Sequence, residues 1–116
     1  MLDKDLLGKK GEEIALKLFE NKGYSLVKKN FRTRLGEIDL IVKKDNELII
    51  CEVKTRKTII KGKPYENVTL KKLKHLKKAI DIFLKSFPKF ENYQKKIMVV
   101  SILLKENQSE IEIFEV

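Results

Sequence analysis

Apolar positions recur at helical spacing through the first twenty residues. Leu7, Gly11, Ile14, Ala15, Leu18 and Phe19 fall at i, i+4, i+7, i+8, i+11 and i+12, one face of a helix that Asp3 or Asp5 can cap and that runs to about Asn21. Gly23 then ends it. Beyond that point the period shortens to two, which predicts strands over about Tyr24 to Thr33, Glu37 to Lys43 and Glu47 to Thr55, with Asp45-Asn46 turning between the last two. A loop from Arg56 to Glu66 carries Gly62 and Pro64. Asn67 or Thr69 opens a second helix whose stripe of Leu73, Leu76, Ile80, Phe83, Leu84 and Phe87 ends near Pro88. The run Lys96 to Leu104 is apolar without alternation and reads as a strand buried on both faces, and Glu110 to Glu115 alternates like an edge strand. The order α-β-β-β-α-β-β predicts an α/β fold, a mixed central sheet with helices on both faces.

Composition narrows the class. A chain of 116 residues, 42% apolar, has room for one modest core, so residues 1–116 read as a single domain; no repeat or linker divides them. The single Cys51 rules out an intrachain disulfide and a multi-cysteine metal site. The N-terminal ten residues lack the long apolar segment of a signal peptide, and Ile97 to Leu104 is too short to span a bilayer. The expectation is a cytoplasmic protein with no membrane partner.

The net charge of +9 is unevenly placed. Between Lys54 and Ala79 ten basic residues face Glu66 alone, while the rest of the chain balances its charges. All of the excess therefore lies in one loop and the helix after it. A polyanionic partner fits such a segment, and so does an ordinary solvated helix face. Arg32, Arg34, Arg56, Lys57, Lys61, Lys63 and Lys71, at strand ends, in the loop and at the start of the helix, are the candidate phosphate contacts.

The central hairpin carries the candidate chemistry. A turn at Asp45-Asn46 makes opposed positions sum to 91, which sets Asp39 against Glu52 and Glu37 against Lys54. Directly opposed residues share a face, so these four project together at one end, with Ile41, Leu48 and Ile50 farther along that face. Ile38, Leu40 and Val42 with Ile49, Cys51 and Val53 form the other. Opposed carboxylates repel and call for compensation. Two arrangements provide it: a hard divalent cation held by Asp39 and Glu52, with Lys54 beside it to orient or deprotonate water, or a surface cluster neutralised by Lys54 and Arg56.

The blocks Gly8-x-x-Gly11-Glu12-x-x-Ala15, Gly23-Tyr24, Asn30-Phe31-Arg32, Gly36-Glu37-Ile38-Asp39-Leu40-Ile41 and Glu52-Val53-Lys54-Thr55-Arg56 resemble the YraN-like family of bacterial proteins. The Asp39 and Glu52-Val53-Lys54 pair also resembles the PD-(D/E)xK signature of restriction-endonuclease-like nucleases. That resemblance implies the core of one helix, three antiparallel strands, a crossover helix and a parallel strand, and kinship with archaeal Holliday junction resolvases. It further implies Asp39 and Glu52 as metal ligands with the Val53 carbonyl assisting, Lys54 as the catalytic lysine, and Glu12 as an acidic partner from the first helix. Helical phase is compatible with the last role, because Glu12 lies about 100° from the centre of the buried stripe, at its border, whereas Glu13 points to solvent.

The expected function is a Mg²⁺- or Mn²⁺-dependent DNA endonuclease, acting on branched or structured DNA and possible as a homodimer. Two alternatives stand beside it: a non-catalytic nucleic-acid-binding module, and an assembly subunit that keeps the fold. Two departures from the family pattern stand out. Ile38, not proline, precedes Asp39, and the fourth strand opens Lys96-Ile97-Met98 where the family leads one to expect Arg and Asp. Of the remaining residues, His75 reads as surface, Cys51 as a buried inert thiol, and Phe31, Tyr65 and Tyr93 as core in preference to base stacking.

Overall fold

The computed structural model describes residues 4–57 and 69–116. Helix α1 spans Lys4–Asn21, and strands β1, β2 and β3 span Ser25–Arg32, Glu37–Lys44 and Glu47–Arg56. Helix α2 spans Leu70–Ser86, a 3₁₀ turn covers Pro88–Phe90, and β4 and β5 span Gln94–Leu104 and Ser109–Glu115. The strands form one sheet in sequence order. β3 and β4 are parallel because α2 carries the chain back across the sheet, and every other neighbouring pair is antiparallel. This is the α-β-β-β-α-β core with an added C-terminal strand.

Local signals explain the helix ends. Asp5 lies inside α1, not at its cap, and Asp3 falls outside the described residues. At the other end Gly23 takes φ 94°, Tyr24 N–H reaches Phe19 C=O and Gly23 N–H reaches Glu20 C=O, closing the helix with a left-handed residue that a side chain would strain. Thr69, one of the two residues expected to open α2, is its N-cap: its hydroxyl oxygen accepts from Lys72 N–H at 3.1 Å. Asn67, the other, lies outside the described residues.

Each helix covers its own side of the sheet. Ala15 and Phe19 of α1 pack with Leu40, Val42, Ile49, Cys51, Val100 and Ile102. Leu76, Ala79, Ile80, Phe83 and Leu84 of α2 pack with Ile38, Ile41, Leu48, Ile50 and Phe90. Phe83 is fully buried and its ring meets Phe31, Phe87 and Phe90 at centroid distances of 5.4, 5.0 and 5.6 Å. A buried ring of that size contributes about 1.5–3 kcal/mol. Phe31 and Tyr93 are thus core aromatics, and Tyr65 falls outside the described residues. Val99 to Ile102 are all buried, as a central strand covered on both faces requires.

The hairpin register holds up to a point and then departs from expectation. Pairs from Lys44 with Glu47 to Leu40 with Cys51 keep the sum of 91, and Asp45 at φ 53° makes the turn. The ladder ends there, one step before Asp39 would stand against Glu52. Ile38 then packs on the α2 side, not with Leu40 and Val42 as strict alternation would have it. The distortion centres on Asp39 and on its neighbour in β1: pairing runs through Lys29 with Leu40 and resumes at Phe31 with Ile38, and between them Asn30 adopts φ 50°.

Candidate functional site

Past the last hairpin pair, β2 stays with β1 through Ile38 and Glu37, and β3 stays with β4 through Glu52 to Arg56. The two central strands therefore part where their carboxylates would have been opposed. Asp39 fills the gap, its Oδ2 accepting the Val53 N–H at 2.8 Å. A side chain takes the bond that a backbone carbonyl makes elsewhere in the ladder, so the Val53 donor is not left buried and unpaired.

The parted strands open a cleft lined by Gly36, Glu37, Asp39, Glu52, Val53, Lys54, Lys72, His75 and Leu76. Two glycine contacts bring the helices to it. A side chain at Gly36 would put a Cβ 2.2 Å from the His75 carbonyl oxygen, so α2 rests directly on the backbone of the turn before β2. Thr33 holds that turn, its hydroxyl accepting from the N–H groups of Leu35 and Gly36 at 3.1 and 2.9 Å and donating to the Gly36 carbonyl at 2.7 Å. On the opposite face a Cβ at Gly11 would lie 1.7 Å from Thr55 Oγ1, so α1 presses on β3 next to Lys54. The residue after that contact is Glu12, half-buried, while Glu13 is exposed.

Charge in the cleft is not balanced at Asp39. Burial pushes its carboxyl up to about 6, against the pull of the Val53 N–H, and the negative charges of Glu12, Glu52 and Glu37 push in the same direction as burial. Glu52 is better compensated. Its Oε1 lies 2.8 Å from Lys72 Nζ and 3.8 Å from Lys54 Nζ. Burial and the adjacent Lys72 lower the Lys54 pKa, with Glu52 and Asp39 opposing. Desolvation is the largest single influence on Lys72 and lowers its pKa, but the hydrogen bonds with Glu52 and Lys54 and the negative charges of Glu52 and Asp39 together outweigh it, and the pKa is raised.

The structure thus brings Asp39, Glu52, Val53 and Lys54 into one cleft and sets Glu12 within electrostatic reach of Asp39. The basic residues divide. Arg34 is exposed in an adjoining groove with Thr33, Leu35, Gly36, Glu37, His75 and Lys78. Arg32 is at the rim, its Nε 3.6 Å from Glu37 Oε1. Lys57 lies in a separate groove with Lys10, Leu104, Lys105 and Glu106. Arg56 is half-buried, Lys71 is exposed, and Lys61 and Lys63 fall outside the described residues. His75 is exposed, as expected, yet lines the cleft.

Sequence reasoning missed Lys72, which reaches Glu52. A signal was there: Lys72, Leu76, Ala79 and Phe83 are spaced i, i+4, i+7 and i+11, so Lys72 extends the buried stripe of α2 by one turn. Lys71 is a helical step of about 100° away.

A hard cation suits this donor set. Asp39 is held among like charges, and Mg²⁺ is commonly bound by one or two carboxylates with water completing its octahedron. Among the described residues no three carboxylate, imidazole or thiol groups converge closely enough to hold an ion together. The fit is therefore to a site of two carboxylates, Asp39 and Glu52, with Glu12 acting on it from beyond direct contact.

Residues 11–102 match the model of the uncharacterised protein family UPF0102, which takes in α1 from Gly11 onward, β1, the hairpin, α2 and most of β4. The chain belongs to that family. It is 44% identical over 105 residues to a UPF0102 protein of Syntrophomonas wolfei, covering 90% of each chain. To a UPF0102 protein of Caldicellulosiruptor bescii it is 37% identical, covering 94% of this chain and 93% of the relative. A third, from Natranaerobius thermophilus, is 44% identical over 97 residues, 83% and 82% of the two chains. The UPF0102 match agrees with the YraN-like resemblance of the motif blocks and carries no activity with it. No helix among the described residues is long and apolar enough to cross a membrane.

Proposed function

We propose that this UPF0102 chain is a divalent-metal-dependent endonuclease that hydrolyses DNA phosphodiester bonds, with branched or structured DNA as its substrate and a homodimer as its working form. The observation that carries the reading is the cleft where β2 and β3 part, in which Asp39 and Glu52 stand with Lys54 beside them. Asp39 and Glu52 would hold Mg²⁺ or Mn²⁺, with the Val53 carbonyl assisting. Such an ion supplies an activated water and stabilises the departing oxygen of an in-line displacement. Lys54, its pKa lowered by burial and by Lys72, is suited to orient that water, to take its proton, and to face the charge that gathers on the phosphate. Arg34, Lys78 and His75 in the adjoining groove would hold neighbouring phosphates and fix the strand without reading its bases. A branched substrate presents two strands, which two copies of the cleft would engage.

Cleavage of four-way-junction and single-stranded DNA by purified protein in Mg²⁺ or Mn²⁺ tests this. Wild type should cut, and Lys54→Ala should lose on the order of 10²–10⁴-fold in rate. Equal residual cleavage by the two proteins would overturn the proposal. DNA affinity that falls steeply with salt but ignores EDTA would point to a binding module without chemistry.

A further inference from the structure

The cleft already holds a cation that the protein supplies itself. Lys72 Nζ lies 2.8 Å from Glu52 Oε1, nearer than Lys54 Nζ at 3.8 Å, so one carboxylate carries two ammonium groups. We propose that Lys72 is a displaceable counter-cation: it occupies Glu52 in the DNA-free protein and moves to a backbone phosphate when DNA arrives, so that DNA binding and divalent-ion binding promote one another. This rests on the metal-site reading given above.

Charge and anchorage carry the argument. An ion of charge +2 ligated by Glu52 would meet the Lys72 ammonium across a few ångströms in a partly desolvated cleft, a repulsion that the carboxylate cannot offset for both. One lysine must withdraw. Lys54 cannot go far, because it projects from β3 two residues from Glu52, inside a ladder that pairs Glu52 with Val99 and Lys54 with Ser101. Lys72 has somewhere to go. It projects from the first turn of α2, and His75 and Lys78, one and nearly two turns farther along the same helix, line the groove that holds Arg34. A phosphate drawn to that groove would offer Lys72 a second anionic partner on its solvent side. Coupling of this kind is reciprocal, so a phosphate that removes Lys72 from Glu52 must raise the affinity for the ion by the factor that the ion raises affinity for the phosphate.

Mn²⁺ affinity, measured calorimetrically with and without a short phosphorothioate-linked oligonucleotide, tests the inference apart from any turnover. Without DNA, Lys72→Met and Lys72→Gln should each bind Mn²⁺ about tenfold more tightly than wild type, since a charge-assisted bond to Glu52 no longer has to be broken. The oligonucleotide should raise the wild-type affinity several-fold and leave that of the two variants nearly unchanged. Lys85→Met, which removes the same charge from the exposed far end of α2, should behave as wild type. Equal Mn²⁺ affinity in wild type and both Lys72 variants, with binding abolished by Asp39→Asn, would overturn the role of Lys72 and leave the metal site standing. No Mn²⁺ binding by any of these proteins, with or without the oligonucleotide, would overturn both.

Discussion

The two ends of the β2–β3 hairpin are built to opposite rules. At the turn end the strands are laddered and their side chains sealed: Ile41, Val42, Leu48 and Ile50 are at most 1% exposed and lie under one helix or the other. At the open end, a few residues along the same strands, the ladder stops, two carboxylates face a cleft, and a side chain stands in for the missing backbone bond. Stability is concentrated at one end, and at the other a local cost is carried: a carboxyl raised to about 6 is one whose charged form the fold disfavours. The second end can be strained because the first is not, a division common where a site is mounted on a rigid scaffold.

Substitutions can break this contrast. The largest effect on stability is expected at the sealed end. Ile41→Ala should cost about 2–5 kcal/mol in denaturant unfolding, the price of a cavity between β2 and α2. Glu52→Gln, at the open end, should stay within about 1 kcal/mol in the same measurement, because its partners are half-exposed lysines. A loss at Glu52 as large as that at Ile41 would remove the distinction.

The pH dependence gives the next largest effect. Asp39 has a folded pKa near 6 against an ordinary value of 3.8, so below pH 4 both states hold the proton and nothing is lost. Between pH 4 and 6 the unfolded chain releases it first, and the metal-free protein should lose up to about 3 kcal/mol relative to Asp39→Asn as pH rises through that window. Urea melts of the two proteins at pH 4 and 7 measure the difference. Parallel behaviour would mean that Asp39 is not under strain. Adding Mn²⁺ at pH 7 should stabilise wild type and leave Asp39→Asn unmoved.

The smallest effect lies at the edge of the site. Thr69→Ala removes the N-cap of α2 and should cost about 1 kcal/mol in thermal unfolding. Because Lys72 sits in the turn that this cap closes, the variant should also weaken the contrast in Mn²⁺ affinity between proteins with and without Lys72. A cap variant that changes neither quantity would detach the helix start from the site.

Much of this molecule was legible in its sequence, and the residues show why the rest was not. Period two and a turn at Asp45-Asn46 set the register of the hairpin, and so placed Asp39, Glu52 and Lys54 at one end of it. The same periodicity misplaced Ile38, because alternation presumes an unbroken ladder and here a left-handed Asn30 and a side-chain hydrogen bond at Asp39 interrupt it. Helical spacing found the buried face of α2. It did not say which sheet residues the helix start would meet, since that depends on the close seating of the His75 backbone on Gly36, a long-range contact with no periodic signature. Spacing could put Lys72 on the buried stripe, but its partner Glu52 is set by that long-range contact.

The bond from Val53 N–H to Asp39 Oδ2 has an evolutionary corollary. One oxygen of this carboxylate belongs to the architecture and the other is left for the proposed metal, so on that reading the position answers to two selective pressures that can be separated. A lineage that kept the fold without the proposed activity would still need an acceptor there. Asn satisfies that need and Ala does not. Asn is therefore the replacement to look for at position 39 in family members that keep the fold without the proposed catalysis, and a small apolar residue there would mark a chain whose two strands have closed up.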